Sequence, residues 1–172
     1  MSKQNSELIV IGIDNGVSGA LSILGKDYCY FTLSKAYIKK EKSYTKKDQN
    51  ITRIDVNKLY KIIIENIKEE DLKNTVAILE RPLVNPTRFK TTQSAMRCLE
   101  ATLIVLEHLN IPINYCDSKE WQHKLFSAED RLNYDTKELS RKVGKELYPQ
   151  YSEVIDKQDA DALLIANWWL QK

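Results

Sequence analysis

The stretch ELIVIGIDNGVSGALSIL, residues 7–24, decides how the chain is read. Glu7 to Asp14 is a run rich in β-branched residues and closed by Asn15-Gly16, the pattern of a central strand buried on both faces that ends in a tight turn. Ala20 to Leu24 and Tyr28 to Leu33 flank a second turn at Gly25-Lys26-Asp27, so an antiparallel meander is expected. Asp14 stands at the rim of the buried strand, where a carboxylate is poorly solvated.

Two further acids share that context. In TVAILERP (75–82) a buried strand delivers Glu80 at its carboxyl end, and in KQDADALLIA (157–166) Asp161 opens the almost wholly apolar last helix, Ala160 to Leu170. Each acid has an ordinary explanation by itself. Asp14 fits a turn, Glu80 fits an ion pair with Arg81 or Arg88, and Asp161 complements a helix dipole. Brought together, the three would repel one another and require a cation to stay ionised. An all-oxygen cluster suits Mg²⁺ or Mn²⁺, and a pair of such ions suits in-line displacement at a phosphodiester.

Between these landmarks, residues 34–54 are lysine-rich, lack Gly and Pro, and show no clean period, which reads as a mobile basic loop. Asp55 is an N-cap candidate for a helix through Glu69 with Val56, Leu59, Ile62, Ile63 and Ile67 on one stripe. A helix is expected from Ser94 to Leu109, a strand at Ile113 to Cys116, and helices over 117–126 and 135–148. The Ser94 to Leu109 helix is apolar on more than one stripe, so it has both its own sheet and a second subunit to bury against, with Met96, Leu99 and Leu103 on the shared face. Strands first, then alternating helix and strand, predict an α/β fold with a mixed five-stranded sheet and helices on both faces.

With 172 residues, 42% of them hydrophobic and 29% charged, one domain over 1–172 is the default. The net charge is only +2, so a nucleic-acid surface would come from segregation, as in the lysine cluster between 35 and 47. Three cysteines without CxxC spacing read as free thiols of a reducing compartment, the cytoplasm. No apolar run approaches the ~18 residues of a membrane span, and no long apolar segment precedes the first strand. The three tryptophans read as core residues, and His108 and His123 lack zinc-ligand spacing.

The ordered set IGIDNGVSGAL, ERP with its following basic loop and long helix, IPINYCDSKEWQHKLF, DTKELSRKVGKELYP and DADALLIANWW resembles the RuvC-type Holliday junction resolvases of the ribonuclease H-like superfamily, in particular their phage and viral relatives. The resemblance spans nearly the whole chain. It implies a ribonuclease H-like sheet, a crossover junction endodeoxyribonuclease, two Mg²⁺ ions per site with Mn²⁺ able to substitute, and a homodimer acting on branched DNA. It also implies no nucleotide cofactor and, for a phage-encoded protein, a bacterial host cytoplasm. Asp14, Glu80 and Asp161 match the family's metal-binding acids, and Lys137 matches a lysine near the scissile phosphate.

The fourth acid of the family pattern departs here, because Lys157 and Gln158 occupy its two usual places. Asp159 and Asp156 flank them. Asp159 is preferred, and shares Asp161's site if the last helix starts after 159; Asp156 as N-cap would start it earlier. Gln122 stands where a second lysine is expected, with Lys119 and Lys124 as substitutes. Arg81, Arg88 and Lys90 are candidate phosphate contacts. Phe89, between two cations, is either a wedge that enters an opened junction or a loop anchor on the core. The rival readings are a related nuclease acting on RNA or simple branched DNA, and an actin-like or sugar-kinase-like nucleotide-binding module, which the shortness of the chain and its 5 glycines disfavour.

Overall fold

The computed structural model describes residues 8–44 and 46–172; Glu7, expected to open the first strand, lies outside them. Strands β1 (Ile9–Asp14), β2 (Ala20–Gly25) and β3 (Tyr28–Leu33) form the expected meander. A short 3-10 turn leads to β4 (Ile38–Lys42) and β5 (Asn50–Ile54), then α1 (Val56–Asn66), β6 (Thr75–Glu80), α2 (Phe89–His108) and β7 (Ile113–Cys116). Helices α3 (Ser118–Leu125), α4 (Ala128–Asn133), α5 (Thr136–Leu147), α6 (Ser152–Asp156) and α7 (Asp161–Leu170) complete the chain. The main sheet has order β3-β2-β1-β6-β7, with β1, β6 and β7 parallel and the other pairs antiparallel.

Side chains alternate across each strand, so the two faces of β1 meet different partners. Ile9, Ile11 and Ile13 pack with Leu59 and Ile63 of α1 and Cys98, Ala101, Val105 and Leu106 of α2. Val10, with Ala20, Leu24 and Ile78, packs against Trp121 of α3, Leu139 of α5, Ile155 of α6 and nearly all of α7. Helix α7 can be apolar all round because it lies in this second core, where Ala162 through Ala166 are fully buried.

Residues 34–54 differ from the expected loop. They hold the antiparallel ribbon β4–β5, registered as Ile38 opposite Ile54, Lys40 opposite Thr52 and Lys42 opposite Asn50. Lysines on both faces hide the period-2 signal, and Ile54 at the base is buried instead. Helix α1 is capped by Asp55, whose side chain accepts from the amides of Asn57 and Lys58, but it stops at Asn66, and Glu69–Asn74 form a 3-10 segment. Helix α2 starts at Phe89, five residues before the expected Ser94, continuing a 3-10 turn that Asn85 caps.

One close approach sets the position of α7. A Cβ on Gly12 would stand 2.2 Å from the Ala162 carbonyl oxygen and 2.9 Å from the Ala166 Cβ. That carbonyl instead accepts a buried hydrogen bond of 2.8 Å from the Ser22 hydroxyl on β2. Gly12→Ala should therefore destabilise the protein by at least the ~1–3 kcal/mol of an overpacked core, read as a lower urea midpoint. An unchanged midpoint would mean that α7 does not rest on β1 in this way.

Candidate active site

The parallel pairing of β1 and β6 puts Ile13 beside Leu79, so the next residues of the two strands are Asp14 and Glu80. Alternation turns both toward the α7 face, with Val10 and Ile78. Asp161 is the first residue of α7, whose start is held over β1 and β2. Asp159 lies just before it and its carboxylate accepts from the Asp161 amide at 3.1 Å. Asp14, Asp159 and Asp161 each offer a carboxylate oxygen within 4.8 Å of the others. Glu80 stands outside that triangle but is electrically coupled to it.

Asp156 is the flanking acid that the fold leaves out. It ends the short helix α6, is exposed, and pairs with Lys145. Asp159 is only 2% exposed and faces Asp14 and Asp161, so of the two candidates it is the one brought to the cluster. The backbone of the segment that places it is tied to α5: Ser140 accepts from the Ala160 amide at 3.0 Å, and Arg141 donates to the Gln158 carbonyl at 2.9 Å. A Cβ on Gly144 would meet that of Ala160 at 2.2 Å, so the α5 glycine permits the contact.

Lys137, also on α5, reaches into the acids. Its ammonium donates to Asp159 at 2.6 Å and to Asp161 at 2.9 Å. Burial raises the pKa of Asp14 well above the usual carboxylate range, and Asp161, Glu80 and Asp159 raise it further. Glu80 is pushed up to about 7, first by burial and then by Asp161, while Lys137 and the Trp121 indole oppose the shift. Burial and Asp159 raise Asp161 against the pull of Lys137 and Ser140. Burial acts to lower the Lys137 pKa, but its carboxylate partners outweigh it and the net shift is upward.

Two of these participants were not picked out as site residues from the sequence. Ser140 lies three residues after Lys137, on the same helical face, and is fully buried. Trp121 is also fully buried; its Nε1 makes no hydrogen bond of normal geometry, yet it lies close enough to Glu80 to favour the carboxylate.

The candidate phosphate contacts are more dispersed. Arg81 pairs with Asp117 at 3.1 Å and covers the Tyr115 ring, so it is not the partner of Glu80. Arg88 and Lys90 flank the start of α2, and Lys119 and Lys124 lie on α3; all four are exposed. Phe89 is 70% exposed, which removes the core-anchor reading. On α2, Leu99 and Leu103 pack partly against the core, while Met96 and Ile104 are 43% and 51% exposed.

The donor set fits a hard divalent cation. Among the described residues, carboxylates converge in a poorly solvated place, with the Lys137 ammonium between two of them. Asp14, Asp159 and Asp161, with Glu80 adjoining, are the residues that could hold it.

No family model matches the chain, and no curated protein matches it. Among solved structures, T. thermophilus RuvC in complex with a Holliday junction substrate is similar with a TM-score of 0.55 at 15% identity, covering 95% of this chain and 95% of that one. A second Thermus thermophilus RuvC structure gives 0.52 at 14% identity, covering 95% and 96%. The mixed five-stranded sheet with its helices is thus the ribonuclease H-like fold of RuvC. No helix of the described residues is long and apolar enough to cross a membrane.

A carboxyl with a higher pKa in the folded than in the unfolded chain binds a proton on folding, so its ionisation opposes folding as pH rises between the two values. For Glu80 the window runs from its ordinary 4.5 to about 7. Free of divalent ions, the protein should lose stability across that window, and Mn²⁺ should raise its melting temperature more at the upper end than at the lower. A pH-independent effect of Mn²⁺ would count against the cluster as its site. Asp159→Asn should weaken Mn²⁺ binding by calorimetry by at least ~10–100-fold, with Asp156→Asn near wild type. The reverse ranking would restore Asp156 as the fourth acid.

Proposed function

We propose that the chain is a divalent-metal-dependent endonuclease that resolves Holliday junctions or other branched DNA by paired phosphodiester hydrolysis, acting as a homodimer. The observation that carries this reading is the convergence of Asp14, Asp159 and Asp161, with Glu80 alongside, at one end of a RuvC-like sheet. One of the neighbours of this fold is described with a Holliday junction substrate. Mg²⁺ is the proposed physiological ion and Mn²⁺ a substitute; two bound ions would supply activation of water and stabilisation of the leaving oxygen.

The chain's own residues then divide the remaining tasks. Asp14, Glu80, Asp159 and Asp161 bind the ions and fix their placement through rigid elements. Lys137 offsets carboxylate repulsion and holds Asp159 and Asp161 in place, and its half-exposed side chain can also meet a phosphate oxygen. Arg81, Arg88, Lys90, Lys119 and Lys124 are proposed to position the DNA backbone and Phe89 to enter the junction; their exposure supports those roles. A two-fold junction presents two equivalent phosphodiesters, which a two-fold dimer would cut in register. The partly exposed apolar side of α2, with Met96, Leu99 and Leu103, is the proposed shared face.

A labelled four-way junction incubated with Mg²⁺, beside a matched linear duplex, tests the reading directly: paired cuts in the junction are expected. ATP binding without any DNA cleavage would overturn it. Asp14→Asn, Glu80→Gln and Asp161→Asn should each slow junction cleavage by more than the ~10–100-fold typical of outer-shell changes at metal sites, while junction affinity measured without metal stays within a few-fold. Normal cutting by folded Asp161→Asn would show that the site lies elsewhere. By sedimentation the wild type should be a dimer and Met96→Glu a monomer that nicks one strand at a time. A monomeric wild type at micromolar concentration would remove the dimer from the proposal.

A further inference from the structure

The ribbon β4–β5 and its flanks, Lys35 to Arg53, carry six lysines and Arg53 against two acids, Glu41 and Asp48. In a chain whose net charge is +2, this is a strong local excess. Its register separates the charges. Lys39 stands opposite Arg53, and Glu41 bridges them, at 2.7 Å from the lysine and 3.2 Å from the arginine. That face is partly neutralised. Lys40 and Lys42 alternate onto the other face, opposite Thr52 and Asn50, and are exposed with no carboxylate partner among the described residues. Lys46 and Lys47, at the tip, are exposed and likewise unpaired.

Lysines on an edge ribbon can serve only to block edge pairing and keep the chain soluble. A solubilising loop, however, needs no fixed attachment, and this ribbon is fastened at both ends. At its base Tyr37 and Ile54 are buried, and the Asp55 amide donates to the Tyr37 carbonyl at 2.8 Å. Near its tip Arg97 of α2 donates to the Tyr44 hydroxyl at 2.8 Å and lies over the Tyr44 ring at 5.8 Å. The base adjoins one of the acids: Tyr37 and Ile54 come together with Asp14 and Asn15, and Asn15 donates to the Ala95 carbonyl of the same helix that holds the tip. An isolated two-stranded ribbon is marginal in water, so these anchors are what give it a fixed direction.

We infer that the β4–β5 ribbon is a nucleic-acid arm, in which Lys40, Lys42, Lys46 and Lys47 bind the phosphate backbone of a duplex segment leading away from the acid cluster. The inference rests on the endonuclease reading. Such contacts are electrostatic and indifferent to sequence, and each neutralised phosphate releases counterions. The arm therefore contributes affinity and orientation, while the acids retain the chemistry.

The test is the salt dependence of binding to a fluorescent four-way junction, measured without divalent ions so that nothing is cut. Replacing Lys40, Lys42, Lys46 and Lys47 together by Ala should reduce the slope of log affinity against log salt by roughly 3 to 4 and weaken low-salt binding by about tenfold or more. Removal of Lys58, Lys61, Lys68 and Lys73, the same charge taken from outside the arm, should leave the slope unchanged. Thermal melts confirm that both variants fold; if the Ala variant does not, Gln at the same four positions takes its place. An equal slope for wild type and arm variant overturns the arm and leaves the endonuclease reading intact. A slope that falls equally in both variants also overturns it, since only total charge would then matter. A wild type that binds no DNA overturns both readings.

Discussion

Helix α7 approaches β1 so closely that the Ala162 carbonyl occupies the volume that a side chain at position 12 would fill. Much of the candidate site follows from that contact. With Gly12 beneath it and the Ser22 hydroxyl holding its first turn, α7 begins over the carboxyl end of β1, and Asp161 is delivered to Asp14 by backbone packing. Had residue 12 carried a side chain, the helix would stand farther off and the acids would separate. The second core, built from α7 and the helices packed on it, is what maintains this approach against the repulsion it creates.

That repulsion is substantial. Asp14, Glu80 and Asp161 all have pKa values raised first by burial and then by neighbouring carboxylates, Asp161 for Asp14 and Glu80 and Asp159 for Asp161, so the cluster holds its charge unwillingly. Lys137 answers part of this, through short bonds to Asp159 and Asp161, but one ammonium cannot balance four carboxylates. On the proposed reading, the energy released when a divalent cation relieves the repulsion becomes binding affinity. The site's electrostatics and the stability of its scaffold are thus opposed, and the apolar packing of α7 and the sheet carries the difference.

The sheet is readable because its strands are apolar runs closed by an acid, as in Ile9 to Ile13 before Asp14 and Val76 to Leu79 before Glu80. Those same runs made Asp14, Glu80 and Asp161 conspicuous. What could not be read locally depends on contacts between distant segments. Asp159 and Asp156 differ because Ser140 and Arg141 of α5 grip residues 158–160, whereas Lys145 of the same helix takes Asp156 outward. Arg81 finds Asp117 only because β6 and β7 are neighbours. The ribbon is not legible in the sequence because its strands carry charge on both faces and are ordered by Tyr37, Ile54 and Tyr44, none of which forms a pattern with the lysines. Helix α2 began early because Thr92 and Asn85 bond to each other across the turn before it, in a segment whose Pro and Thr content reads as loop.

On the proposed reading, that early start bears on selectivity. Clustered carboxylates with divalent ions act on any phosphodiester, so preference for a branched substrate must come from groups around them. Phe89 is the residue proposed for this. It is the first residue of α2, and the turn that presents it is held by the Asn85 side chain, which accepts from the Thr87 amide at 3.0 Å, and by the Thr92 hydroxyl. A wedge that unstacks bases works against a few kcal/mol per step, and a loop free to yield would fold back before the bases parted. An exposed ring at the start of a long helix cannot yield so easily, because from Cys98 onward α2 is packed against the sheet that carries the acids. The same rigid helix would then fix the distance between the opened bases and the bond to be cut.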